Sequence, residues 1–438
     1  MRYPLAWPVL SRAISTAIYD HKLTPQHPRA VEHGIAQLDC WHDRGVSADD
    51  DFRIDIAWNR HDDGRAHPPD ARAAATRRTR NGFRPLPAPT VPMSTVKYRP
   101  PRTSRRAAED IQPIAAFFEG ASEGRERFRW TLRDSLDELL DGQRTGRWCY
   151  QHLRKTEKTY LGTAIEINLT REYEIDDGLD LDWRIGGAEV DCKFSRDMGG
   201  WEIPMEMYRC PDHGTQSAGE DHPALLVWLN DDTSEWAAGL LRITDDRLRW
   251  RQGSAGYQVR AYNRDNKRRI AEYAFPEIYW LWGGIQSDLP PNLLRHLPTE
   301  TRCKILRLGS SGQGRVNDLF RYVQDRLINR QVILTVGQQD DAPKRARDAR
   351  KHLRSEGIVV LGHEGPHQRI AASMGLPMPQ KGSWISTRVV PCNDEKGAVS
   401  GFFLEGKWWR KALPSDPGAP GPQFPKHWTC LETSTPPS

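Results

Sequence analysis

Residues 179–194 read LDLDWRIGGAEVDCKF. Alternation is strict on both sides of Gly186-Gly187. Leu179, Leu181, Trp183 and Ile185, then Ala188, Val190, Cys192 and Phe194, fall on one face. Asp180, Asp182, Arg184, Glu189, Asp191 and Lys193 fall on the other. A Gly-Gly pair between two such runs marks a two-residue hairpin turn. With that turn the register follows: Ile185 faces Ala188, Arg184 faces Glu189, Asp182 faces Asp191 and Asp180 faces Lys193. Asp182 and Asp191 are then like charges placed opposite each other, which destabilises a sheet. A hard divalent cation such as magnesium, held by oxygen ligands, resolves that conflict. Lys193 stands two residues beyond Asp191 on the same face. Two carboxylates, a metal and a positioned lysine are suited to phosphodiester hydrolysis. The competing reading is the solvated face of a half-covered sheet, and a lone D-x-K triplet is a weak motif.

Upstream, Ile165-Glu166-Ile167-Asn168-Leu169 alternates and reads as a short strand with Glu166 on its polar face. The order Glu166, Asp182, Asp191, Lys193 resembles the active site of NaeI-type type II restriction endonucleases, within the PD-(D/E)xK nuclease superfamily. The similar segments are LDGQRTGRW, KTEKTYLGTAIEINL, DGLDLDWRIGGAEVDCKFS, GWEIP, LLVWLND and GQGRVNDLFRYVQDRLINRQVILTV, and the likeness runs from about residue 110 to about residue 425. The resemblance implies an α/β fold: a mixed-sheet PD-(D/E)xK nuclease core followed by a winged helix-turn-helix-like DNA-binding domain. It implies catalytic roles for Glu166, Asp182, Asp191 and Lys193, with Asp182, Asp191 and Glu166 at Mg2+. It further implies a homodimer acting on double-stranded DNA, products with 5′-phosphates, activation by a second copy of a GC-rich palindrome, and a cognate DNA methyltransferase as genetic partner. A repair or mismatch nuclease on the same core, and a DNA-binding regulator with an inactive nuclease-like domain, are the alternatives. Filled positions at all four sites argue against the inactive form.

The chain has 438 residues and a formal net charge of +5, enough length for two or three domains. No apolar run is long enough to span a bilayer, and the N-terminus lacks a signal-peptide core. Seven scattered cysteines with no C-x-x-C pair give no zinc pattern; a reduced, cytoplasmic protein is expected. Between Glu300 and Glu356 thirteen basic residues stand against seven acids, a balance of +6 that exceeds that of the whole chain. That is the footprint of a polyanionic partner.

Along the chain, residues 1–106 read as a poorly ordered basic, Pro-rich extension. Met93 begins MSTVKYRPPRTSRR, a natural start for a shorter protein, and residues 1–92 are expected to have no catalytic role. Residues 107–288 read as the catalytic domain. Ile111, Ile114, Ala115 and Phe118 have helical spacing; a second helix is expected to start near Thr131 and to stop at Gly142. Arg144 and Arg147 in the loop GQRTGR could touch phosphates. Strands are expected at 224–229 and 236–243. The run LRWRQGSAGYQVRAYNRDNKRRI mixes aromatics with cations and could be a DNA-facing loop and strand or a polar surface.

Residues 291–425 read as the second domain, after a boundary at Asp288-Leu289-Pro290-Pro291. Three short helical patterns there resemble a helix-turn-helix, with Asn329 capping the third. Arg330 and Gln331 at its start are candidates to reach base edges. Lys344, Arg345 and Arg347 lie on a basic helix ending at Gly357 and are candidates for phosphates. Strands at 358–361 and 384–390 complete a winged variant. The Pro-rich tail from Pro414 is expected to be loose, with 426–438 outside the domain.

Overall fold

Gly186 and Gly187 adopt φ of 61° and 84°, the paired left-handed conformations that a two-residue turn of this hand needs and glycine takes without strain. They join β2 (Trp183–Ile185) to β3 (Ala188–Ser195), pairing Ile185 with Ala188, Arg184 with Glu189 and Trp183 with Val190. The expected register holds for these pairs. It does not extend to Asp180 and Lys193, because β2 begins only at Trp183. A computed structural model of the chain describes residue 83 and residues 85–96, 98–101, 106–210, 220–254, 256–339, 341–392 and 400–425, all within the unit Pro69–Ser438.

The hairpin lies near one edge of a six-stranded mixed sheet. Among the described residues, four α-helices precede it: α1 (Gln112–Glu119), α2 (Gly124–Leu140), α3 (Gly142–Thr145) and α4 (Lys155–Tyr173). The remaining strands of this half are β1 (Asp176–Asp177), β4 (Glu202–Ile203), β5 (Pro223–Asn230), β6 (Glu235–Arg242), β7 (Trp250–Gln252), β8 (Gln258–Arg260), β9 (Arg268–Arg269) and β10 (Tyr279–Trp280). The sheet order is β1-β2-β3-β5-β6-β10, with β3 and β5 parallel. Every residue of β5 is buried, as a strand covered on both faces must be. One face carries Val190, Cys192, Leu225 and Val227 and packs on α1, α2 and α4. The other carries Ala224, Leu226 and Trp228 and packs on segments from Met198 to Trp280.

Three expectations are corrected here. Residues 165–169 are not a strand but the third turn onward of α4. Five residues fit a period of two; over nineteen, the buried set Leu161, Ala164, Ile165, Leu169 and Tyr173 fits a period of 3.6. The second helix starts at Gly124, about two turns before Thr131. The boundary at residue 106 also moves. Met93 is buried in the core, its amide donates to Asp232 at 2.7 Å, and Val96 bridges Met198. These scattered apolar residues have no period to reveal them. Residues 1–82 lie outside the described residues.

The second half contains α5 (Leu293–His296), α6 (Thr299–Ile305), α7 (Gly312–Tyr322), β11 (Ile328–Asn329), α8 (Arg330–Gly337), α9 (Ala342–His352), β12 (Ile358–Leu361), α10 (Gly365–Ser373), β13 (Ser383–Cys392), β14 (Gly401–Leu404) and β15 (Lys407–Lys411). Long β13 organises the sheet: its first residues pair with β11, its middle with β12 and its end with β15. Asn329 caps α8, accepting from the Val332 amide at 3.0 Å. The tail expected to be loose from Pro414 is packed as far as it is described. Gly421 donates to the Arg354 carbonyl at 2.7 Å, and the Phe424 ring lies 5.0 Å from that of His367.

Candidate active site

The site is built from the hairpin, the loop that leads into it and the helix that crosses behind it. Asp191 and Lys193 lie side by side with Ala224 and Leu226 of β5, so all four point to the same face. The Asp191 carboxylate, buried, forms an ion pair with the Lys193 ammonium. Asp182 ends the loop before β2. Its Oδ2 accepts the Cys192 amide at 2.8 Å, which sets its carboxyl beside Asp191, whose ionisation it opposes. The carboxylate pair expected from the sequence is therefore present, although Asp182 stands just outside the ladder.

Glu189 supplies what the alternation did not reveal. Its carboxylate accepts the backbone amides of Leu179, Asp180 and Leu181 at 2.9 to 3.2 Å. Burial opposes its ionisation, but these donors hold it below the usual glutamate range. The amides it gathers curl residues 179–182 away from an extended course. Asp180 is thereby removed from Lys193, Leu179 is left in solvent, and Asp182 is aimed at Asp191. In the sequence Glu189 reads only as a partner for Arg184.

Glu166, on α4, is half-buried. Burial and then the charge of Asp182 push its carboxyl up to about 7, against the pull of Lys193. Burial and the neighbouring Asp182 likewise raise the Asp191 carboxyl well above the carboxylate range. Burial works to lower the Lys193 ammonium, but Asp191 keeps it above its ordinary value. This is an under-neutralised group: acidic oxygens gathered faster than the single lysine offsets them. Among the described residues, no three ligand-type side chains converge closely enough to enclose an ion alone. Two neighbouring carboxylates with a third at longer range nevertheless fit a cation such as Mg2+, which takes one or two carboxylates and leaves its other positions to water and phosphate.

The remaining candidates separate. Arg144 pairs with Asp141 and Arg147 with Glu157, both at 2.7 Å, so the GQRTGR segment is engaged within the fold. Val332 to Gly337 of α8 are buried, so this helix cannot lie in a groove along its length. Arg330 and Gln331 at its start line a cleft of about 1160 Å³ with Trp130, Glu138 and Arg171 of α2 and α4. Lys344 and Arg347 line a different cleft, on α9, where both are exposed. Arg345, half-buried, is paired with Asp341 at 2.9 Å.

A mixed sheet carrying this group at its edge, with a carboxylate from a crossing helix, defines a nuclease-like core. The model of the family described as restriction endonuclease NaeI matches residues 114–420. The type II restriction enzyme NaeI of Lentzea aerocolonigenes is 40% identical over 326 residues, covering 73% of this chain and 95% of the relative. The chain belongs to the NaeI restriction endonuclease family, and is a type II site-specific deoxyribonuclease. Among the described residues no helix is long and apolar enough to cross a membrane.

Proposed function

We propose that the chain cuts double-stranded DNA at a specific site by magnesium-assisted phosphodiester hydrolysis at Asp182, Asp191, Glu166 and Lys193, leaving 5′-phosphates. The observation that carries this is the Asp191–Lys193 ion pair with the Asp182 carboxyl fixed on the neighbouring Cys192 amide. Asp182 and Asp191 would hold the cation, with Glu166 beside them. When bound, the cation supplies Lewis acidity toward the phosphoryl oxygens and lowers the pKa of the attacking water. Lys193 orients that water and offsets the negative charge that grows on the phosphorane. Glu166, with its carboxyl near neutrality, is suited to take up and release a proton beside the reacting group.

In the second half, the succession α7, β11, α8, α9, β12, β13, with β11 and β12 both on β13, supports a winged-helix reading. The element offered to DNA is then α9 rather than the buried α8. Lys344, Arg347 and Lys351 are exposed cations on it, while Arg330 and Gln331 face the other half and Arg345 is held by Asp341. The homodimer, the need for two copies of a GC-rich palindrome, the cognate methyltransferase and a cytoplasmic location rest on the family resemblance. Incubating the purified protein with magnesium and a plasmid tests the reading. Discrete fragments support it; nicking at lesions would indicate a repair nuclease, and binding without cutting a regulator.

A further inference from the structure

Among the described residues, the strands β7 and β8 form a two-stranded ribbon that pairs with no other strand. Gln252 faces Gln258, Arg251 faces Val259 and Trp250 faces Arg260. Both faces of the ribbon are open to solvent beyond its root. Tyr257 is 75% exposed, and Val259 and Trp250 are each 37% exposed. An isolated ribbon of this kind is marginal in water, and one displaying apolar side chains on open faces calls for a partner.

Its root is rigid. Arg268 is fully buried and ion-paired with Asp245, and it donates to the carbonyls of Leu248 and Arg249 at 3.2 and 3.1 Å. The Trp250 ring has Arg260 4.9 Å and Arg268 5.1 Å from its centre, and Arg260 also holds Asp245 through two hydrogen bonds. A fixed base with a free tip is the form of a preorganised arm.

The register locates the root. Asp191 lies level with Ala224, and Ala224 with Leu241, so Leu241 is two strand spacings, roughly 10 Å, from the catalytic aspartate. The chain leaves the sheet one residue later, at Arg242. Leu248 and Ile270, which bracket the ribbon, pack in the same cluster as Ala224 and Leu226. That is the face from which Asp191 and Lys193 project. The ribbon therefore rises from the catalytic end and the catalytic face of the sheet.

Its chemistry suits a base pair rather than a phosphate. Residues 247–269 carry eight Arg and Lys against one acid, Asp265, but most are neutralised in the fold: Arg247 by Glu277, Arg249 by Glu272, Arg269 by Glu202. Arg251, at the open end, has no carboxylate partner among the described residues. On one face of the ribbon stand Arg251, Tyr257 and Val259; on the other stand Gln252 and Gln258, whose amides touch at 3.1 Å. Arginine reads guanine, glutamine reads adenine and apolar side chains meet the thymine methyl, in a groove about 12 Å wide that admits a two-stranded ribbon.

We infer that the β7–β8 ribbon is the arm through which the catalytic half reads bases in the major groove beside the cut, with Arg251, Gln252 and Gln258 as specificity-determining residues. This deepens the proposed endonuclease function and rests on it. The test uses full-length protein, magnesium and a pool of duplexes with a randomised central stretch, sequencing the cut ends. If the unmodified protein cuts nothing, the proposed function fails before the arm is at issue. If it cuts a defined site, Arg251→Ala and the double variant Gln252→Ala/Gln258→Ala are expected to lose roughly ten- to a hundredfold in rate at that site and to relax the preference at one or two positions, with an unchanged melting temperature. Unchanged rate and unchanged site in both variants would overturn the inference. Tyr257→Ser with Val259→Ser probes the rival occupant, a second copy of the chain. A shift to monomer by light scattering, with site preference retained, would also overturn it.

Discussion

At the scale of single residues, the candidate site depends on how few groups offset its carboxylates. Asp191→Ala and Lys193→Ala are each expected to abolish cleavage while circular dichroism and melting remain those of the folded protein. Near-normal cutting by either would remove the assignment. Asp182→Asn removes half of a pair of neighbouring carboxyls, so it should raise the magnesium concentration needed for cutting while raising the metal-free melting temperature. The two halves of that expectation are separated by a metal titration and a melt in chelator. Glu166 adds a pH dependence. Its carboxyl is raised from 4.5 to about 7 in the folded protein, so between those values the folded form binds more protons than the unfolded chain. Metal-free stability should therefore fall as pH rises from about 4.5 to about 7. Glu166→Gln should flatten that slope; an identical slope in the variant would show that the strain lies elsewhere.

At the scale of elements, legibility tracked the span over which the physics acts. The β2–β3 hairpin was readable because alternation and a Gly-Gly turn are local signals. Residues 165–169 read as a strand because Ile165 to Leu169 is too short a window to separate the two periods, while the helical stripe of α4 runs from Leu161 to Tyr173. The loop before Asp182 was unreadable for a different reason. Its course is set by Glu189, from the far strand, gathering its amides. The helical face was legible, but not what it is tied to. Arg133 of α2, 1% exposed, donates to Asp231 at 2.5 Å and Asp137 at 2.7 Å, fastening α2 to the turn after β5. Arg133→Met leaves two carboxylates without their cation and should cost about 3–5 kcal/mol in a urea melt. A cost near zero would mean that water or a rearranged partner replaces the guanidinium.

At the scale of the whole molecule, the two halves are joined through α3. Trp148 and Cys149, just beyond it, belong to the apolar core of the second half, and Arg302 lies 4.4 Å from the centre of the Trp148 ring. A Cβ on Gly142 would fall 2.1 Å from Thr335 Oγ1 of α8. Gly142→Ala should therefore cost about 1–3 kcal/mol, read by chemical denaturation; no loss would show that the contact is looser than its geometry. Arg147 runs from this joint to Glu157 at the start of α4, the helix that carries Glu166. DNA held on α9, as proposed, would thus have a packed route, through α8 and α3, to the proposed catalytic carboxylates. Lys344→Ala/Arg347→Ala should weaken binding to all duplexes alike, lower the salt slope by about two and remove any acceleration by a second site-bearing duplex. Retained acceleration would place the activating contact elsewhere.

The most direct test of the catalytic group is single-turnover cleavage of a plasmid by the full-length protein, with and without Mg2+, alongside Lys193→Ala. The expected result is discrete fragments bearing 5′-phosphates from the unmodified protein with Mg2+ alone, and none from Lys193→Ala or in chelator. Equal cutting by Lys193→Ala, or cutting that persists without a divalent cation, would contradict a hydrolytic centre built on Asp182, Asp191 and Lys193.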